Sequence, residues 1–291
     1  MTQPTFLVGG GKGGVGKSTV SMALLDFLIV GGEPPLLIET DTSAPDVWKA
    51  YGTEIEGHCV DLEQKDGWLE MLEVIGRNAA TRIVINTKAA NQVGLRKFGG
   101  MLFEGVRLQD RELVVLWVID RKRDGLELLA SFLDSFAADP RVVVHVARNL
   151  YWGDEAKFDM FNAADLKKNI EARGGKIVNF PDVADRVAES LNKSRLPIHT
   201  AMTEFSFALR IELARWQAEY RRTFAGRSGV AMRVEVGSGD VVTPGTQDIT
   251  YPARLGWPHV PGDRQPAAAA FVRSACGGRL GGDARRVLLQ S

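Results

Sequence analysis

The nine residues Gly11 to Thr19, reading GKGGVGKST, follow closely on the apolar run Phe6-Leu7-Val8, and no other stretch of the chain restricts its fold so severely. From Gly11 to Ser18 they fit the spacing G-x-x-x-x-G-K-[ST]. That order requires a strand, then a glycine-rich turn, then a helix, which the spacing predicts over Ser18 to Leu28. Such a unit is the usual start of an α/β layer architecture.

Each residue type in the loop has a chemical reason. A loop that wraps a polyphosphate must bring backbone N–H groups close to the anion, and glycines allow dihedrals that a Cβ would forbid. Gly11, Gly13, Gly14 and Gly16 supply that freedom around Lys12 and Val15. The following helix adds its unpaired N–H groups and the positive end of its dipole. Lys17 is placed to neutralise the β and γ phosphates, the Ser18 hydroxyl is the expected Mg²⁺ ligand, and Thr19 backs it.

The second lysine, Lys12, makes the segment Lys12-Gly13-Gly14-Val15-Gly16-Lys17-Ser18. It resembles the deviant Walker A motif, K-G-G-x-G-K-[ST], of the ParA/MinD group of P-loop ATPases. The resemblance implies ATP and Mg²⁺ as cofactors and an ATP-dependent homodimer, in which Lys12 reaches across to the phosphates held by the other subunit. It also implies where the remaining machinery lies. Leu36-Leu37-Ile38-Glu39-Thr40-Asp41 is an apolar run ending in acid, with Asp41 at the second aspartate of the family's D-x-D-P segment. There it would orient the attacking water and help hold Mg²⁺, although Glu39 replaces the first aspartate and Thr42 the proline. Arg82-Ile83-Val84-Ile85-Asn86 matches the strand that in the family ends in a Walker B aspartate. Here it ends in Asn86, which can bond a metal-bound water from the second shell but brings no negative charge. Slow ATP hydrolysis is the expectation. Asn149, after the run Val142 to Ala147, and Pro181, after Ile177 to Phe180, stand where family members contact the base.

Composition agrees with a sizeable α/β domain. The chain has 291 residues, 45% of them apolar, which is enough for a substantial core. Its formal net charge is zero, so no general attraction to nucleic acid or membrane follows. Cys59 and Cys276 are the only cysteines and form no C-x-x-C, so neither a zinc ribbon nor an iron–sulfur site is readable. The N-terminus runs straight into a predicted strand, and no stretch has the ~18 apolar residues of a membrane span. The sequence therefore reads as cytoplasmic.

Strands are predicted at Thr5–Val8, Leu36–Glu39, Arg82–Ile85, Leu113–Ile119, Val142–Ala147 and Lys176–Phe180. With helix-length segments between them, they predict a three-layer P-loop fold, a mainly parallel sheet flanked by helices. Ligand groups should then collect at the carboxyl ends of the strands. Leu126, Leu129, Leu133 and Phe136 form a core stripe, and a single amphipathic helix is predicted from Met202 to Phe224. Its Arg210, Arg215, Arg221 and Arg222 would be a DNA-facing surface, but Glu204, Glu212 and Glu219 beside them favour a solvated face. Residues 1–226 are read as the P-loop ATPase domain. Residues 227–291, rich in Gly, Pro and Arg and free of lysine, are read as a poorly structured tail.

Functional classes remain open at this stage. One is a ParA/MinD-type switch in plasmid partition or conjugal mobilisation, with a relaxase or partition adaptor as protein partner. The compact core and Asn86 resemble accessory transfer ATPases of the TraL/MobD type. Another is a nucleotide-responsive adaptor in which Asn86 has impaired hydrolysis. A MinD-type membrane-positioning ATPase would need a basic amphipathic C-terminus, for which Arg285-Arg286-Val287-Leu288-Leu289 is too short. A small-molecule kinase fits the loop but not Lys12.

Overall fold

A computed structural model describes residues 2–88, 92–135 and 139–225. The seven strands are β1 (Thr5–Gly10), β2 (Leu36–Glu39), β3 (Gly57–Cys59), β4 (Ile83–Asn86), β5 (Leu113–Ile119), β6 (Val142–Asn149) and β7 (Ile177–Phe180). They form one sheet in the order β3-β2-β4-β1-β5-β6-β7, with every pair parallel. The helices are α1 (Lys17–Val30), α2 (Asp46–Tyr51), α3 (Lys65–Arg77), α4 (Gln92–Leu108), α5 (Arg123–Asp134), α6 (Asp159–Ala163), α7 (Asp165–Ala172), α8 (Asp185–Ser194), α9 (Ile198–Glu204) and α10 (Phe207–Phe224). The fold is the P-loop α/β architecture that the spacing predicts. Because β1 lies between β4 and β5, the strand order reverses beside it, and the loop after β1 opens at that switch point.

Period-two alternation assigns the two faces of the sheet. Leu7, Leu36, Ile38, Ile83, Ile85, Leu113, Val115, Trp117 and Ile119 join one continuous apolar core with Trp68 and Met71 of α3, Leu102 of α4 and Phe132 of α5. Their neighbours Val8, Leu37, Val84, Leu116 and Val118 are equally buried but point the other way, toward the layer built on α1. Glu39 and Asn86 fall on that second face by the same parity. α1 is apolar on nearly every side because it is enclosed by the sheet, α9 and α10, with Val20, Ala23, Leu24, Leu25 and Leu28 all buried. α10 closes this layer through Trp216 and Phe224, whose rings meet Phe180 of β7 and, for Phe224, Phe27 of α1, and through Tyr220, which packs between them.

The structure corrects several boundaries. α1 starts one residue earlier and ends two later than the sequence indicates, and β6 extends to Asn149. β3 is a three-residue edge strand, too short to leave an alternation pattern. The single helix predicted over 202–224 is two, because Phe205 and Ser206 are extended (ψ 160° and 156°) and Ser206 stands at the start of α10. The hydrophobic stripe runs through this break, so periodicity could not reveal it. Phe136 and the tail 227–291 lie outside the described residues.

Candidate phosphate-binding site

The site is built from the carboxyl ends of β1, β2, β4 and β6. Gly10 ends β1, and the chain turns through the loop before Lys17 opens α1. Gly14 and Gly16 adopt φ 78° and 103°, the left-handed region where a side chain would be strained. At Gly16 a Cβ would also collide with the Asn149 amide. That amide is the clamp of the loop: Asn149 Nδ2 donates to the Val15 carbonyl at 2.8 Å, and its Oδ1 accepts the Tyr151 N–H at 3.1 Å. Asn149 is 7% exposed and holds the backbone of the loop. Pro181 is buried beyond β7, and its carbonyl accepts the Trp216 indole N–H at 3.0 Å.

The two loop lysines stand in contrasting environments. Lys17 is buried, its Nζ donates to the Lys12 carbonyl at 2.9 Å, and desolvation lowers its pKa while Asp41 pulls it up. A buried ammonium with one carbonyl acceptor is a group built to meet an anion. Lys12 lies on the open rim, ion-paired with Asp124 in the first turn of α5, and that hydrogen bond raises its pKa. The pairing was not read from the sequence; its only signal is an acid in the first turn of the helix that follows β5. Gly11 and Val15 are buried, Gly13 and Gly14 are exposed, and Ser18 and Thr19 are half-buried in the first turn of α1.

At the ends of β2 and β4, Glu39 and Asn86 are register partners, 0% and 2% exposed. Asn86 Nδ2 donates to both carboxylate oxygens of Glu39, at 2.9 and 3.1 Å. Its Oδ1 accepts the Ser21 hydroxyl of α1 at 2.8 Å. The Glu39 carboxylate also accepts the Asp41 N–H at 2.9 Å. Burial pushes the Glu39 pKa up to about 7, against the lowering effect of these hydrogen bonds. Asp41 is half-buried, and its Oδ1 accepts the Ser43 hydroxyl at 2.6 Å and the Ala44 N–H at 3.0 Å, an Asx-type turn. Sequence reasoning noted Glu39 as a replaced aspartate and missed its bond to Asn86, because only the register of two strands 47 residues apart brings them together.

These residues fit a nucleotide triphosphate with Mg²⁺. The donor set is a buried amine, a helix N-terminus and a loop of small residues, with a hydroxyl (Ser18) and a carboxylate (Asp41) of the hard-oxygen kind that Mg²⁺ takes. Among the described residues no cluster of His, Cys, Asp and Glu suggests another metal, and no helix is long and apolar enough to cross a membrane. On α10, the Arg215 guanidinium is engaged by Glu212 and Glu219, so its charge is locally matched.

No protein-family model matches the chain. A protein named MobD from Acidithiobacillus ferrooxidans is 42% identical over 226 residues, 78% of this chain and 98% of its own. The septum site-determining protein MinD of Pyrococcus horikoshii, solved with Mg-ADP, has a TM-score of 0.48 and 14% identity over 78% of this chain and 99% of its own. A nucleotide-binding protein of Archaeoglobus fulgidus, solved with ADP, has a TM-score of 0.44 and 14% identity over 66% of this chain and 87% of its own. Likeness at that level says nothing about individual side chains.

Proposed function

The chain belongs to the MobD family, and from that premise we propose that it is a ParA/MinD-type ATPase that switches by ATP-dependent dimerisation to serve conjugal DNA mobilisation. The observation that carries the reading is the pair of loop lysines. One is buried against the loop that would hold its own nucleotide, and the other sits at the rim with a side chain 44% exposed. A lysine needed only for its own nucleotide has no reason to stand outward; one that serves a second copy does.

The loop N–H groups and Lys17 would hold the phosphates, while Ser18 and Asp41 would hold Mg²⁺. The triphosphate and Mg²⁺ together supply an electrophilic phosphorus whose charge is already partly neutralised. Asp41 is the carboxylate best placed to orient a water, since Ser43 and Ala44 fix its side chain. Lys12 would leave Asp124 to reach the phosphates of the partner. Its partner protein would be a relaxase or a partition adaptor. The locally paired charges of α10 support a solvated face in preference to a DNA-binding one.

Asn86 favours a second reading, a persistent ATP-bound adaptor with little turnover, because an amide at the end of β4 accepts a proton poorly.

Light-scattering mass measured with ATP·Mg²⁺, with ADP·Mg²⁺ and without nucleotide tests both readings. ATP alone should produce a dimer that Lys12→Ala abolishes. Phosphate release in the same samples then separates a cycling ATPase from the adaptor. A mass indifferent to ATP would overturn the switch.

A further inference from the structure

The register of β5 and β6 ends with Ile119 opposite Arg148, so the segments that leave the two strands run on side by side. After β5 come Arg121, Lys122 and Arg123, all exposed. After β6 comes the turn Leu150–Trp152, in which Tyr151 is 58% exposed. We propose that Arg121, Lys122 and Tyr151 form a binding surface for single-stranded nucleic acid, the two cations meeting phosphates and the ring stacking on an unpaired base. The surface shares no residue with the phosphate loop or with α10, and it does not depend on the nucleotide reading.

Direct contacts tie the two segments together. Arg121 Nη1 donates to the Trp152 carbonyl at 3.3 Å, across 31 residues of sequence, and Lys122 Nζ lies 5.5 Å from the centre of the Trp152 ring. Trp152 packs against the core, and Tyr151 meets it at 88° with ring centres 5.2 Å apart. Hydrogen bonds set both turns: the Lys122 N–H donates to Asp120 Oδ1 at 2.9 Å, and the Tyr151 N–H to Asn149 Oδ1 at 3.1 Å. An exposed ring on a fixed turn loses little freedom when a base stacks on it.

The distribution of charge singles out the cations. The neighbouring acids are engaged elsewhere, Asp124 with Lys12, Glu127 with Arg123, Asp154 with Lys157 and Glu155 with Arg148. Among the described residues no carboxylate forms an ion pair with Arg121 or Lys122, in contrast to Arg215 on α10. Two unmatched cations suit any anion, an acidic peptide included; the exposed ring is what selects a nucleic acid. A duplex keeps its bases stacked inside, so the ring can receive a base only from a single strand.

The probes are labelled oligothymidylate and oligouridylate of about 15 nucleotides, followed by fluorescence anisotropy without added nucleotide. The wild-type chain should bind at least one of them, and a duplex or an abasic strand of that length more weakly. Tyr151→Ala should weaken binding of the strand about tenfold and leave the abasic strand unchanged, while Tyr151→Phe keeps the wild-type affinity. Arg121→Ala/Lys122→Ala should lower the slope of log affinity against log salt by about 1.4, the value for two phosphates of a single strand. Lys17→Ala, which removes the buried amine of the loop, should bind the strand as the wild type does. A wild-type chain that binds neither strand overturns the proposal, as does one that binds the duplex, the abasic strand or polyglutamate equally well. So does a Tyr151→Ala protein that keeps full affinity or loses it equally for the abasic strand, and so does a salt slope unchanged in the double variant. Loss of binding in Lys17→Ala would put the strand on the phosphate loop and overturn the proposal as well.

Discussion

The two faces of the sheet are made differently. Toward α3, α4 and α5, the strands present Leu, Ile, Val and Trp into an apolar core. Toward α1, the same strands and their covering helices bury Glu39, Asn86, His145, Ser21, Lys17 and Asp26 among the aliphatic side chains. The first face holds the sheet together by area removed from water, and the second can do so only where each polar group finds its partner. Their difference teaches where chemistry can be placed. The polar layer is the one that carries the phosphate loop, and its buried hydrogen bonds set the geometry of that loop.

The comparison is broken most severely on the apolar face. Trp68 of α3 is 1% exposed, and Trp68→Ala should cost about 4 kcal/mol through lost transfer energy and a cavity. Urea unfolding should show this as a lower midpoint, while nucleotide affinity of the folded protein stays the same. If affinity falls in proportion to stability, the two faces are not separable.

A smaller but more informative effect belongs to the polar face. Asp26 of α1 is fully buried and accepts from Tyr220 at 2.6 Å and from Gln217 at 2.9 Å, joining the loop helix to α10. Asp26→Ala leaves the Tyr220 hydroxyl and the Gln217 amide without this acceptor and removes one of the two carboxylates beside His199, at a cost of roughly 3 kcal/mol. Tyr220→Phe combined with Asp26→Ala should cost less than the sum of the two, and strict additivity in that cycle would count against a coupled network.

The smallest effect is a pH dependence. His199 lies 3.4 Å from Asp26 and 2.7 Å from Glu54, with Tyr51 beside its ring. Asp26 first, then Glu54, raise its pKa from 6.5 against the opposing effect of burial. A folded-state pKa above the unfolded one gives stability that is full below pH 6.5 and is lost as pH rises through the folded value. The stability gap between the wild-type chain and His199→Gln should therefore be widest in acid and close with rising pH. A gap that widens in alkali would reverse the assigned sign.

Much of this was legible in the residues themselves. The loop is written contiguously from Gly11 to Thr19, and six of the seven strands announce themselves as apolar runs because both faces are buried. β3 did not, being a three-residue edge strand, and neither did the interruption at Phe205 and Ser206, where the hydrophobic spacing continues through non-helical backbone. Lys17 could be picked out by spacing, and Lys12 and Asp41 by the resemblance to the ParA/MinD motifs. Glu39 and Asp124 could not, because what gives them a role is a partner on a different strand or helix. A linear pattern records which residues are near along the chain, while strand register decides which are near in space. Asn86 is the plainest case: alone it reads as a lost charge, and only the strand register shows that its amide is held by the Glu39 carboxylate.

The contact between Asn149 and the loop has a consequence for how the molecule comes into being. The glycines that shape the loop are local to it, but the amide that clamps the Val15 carbonyl lies 134 residues further along. A contact of such long sequence separation carries a large loop-closure cost, which pairing of the intervening strands lowers. The loop is thus encoded in one stretch and finished by the docking of β6, so a chain truncated before β6 would carry the motif without its clamp. The clamped loop is therefore a reporter that β6 has docked.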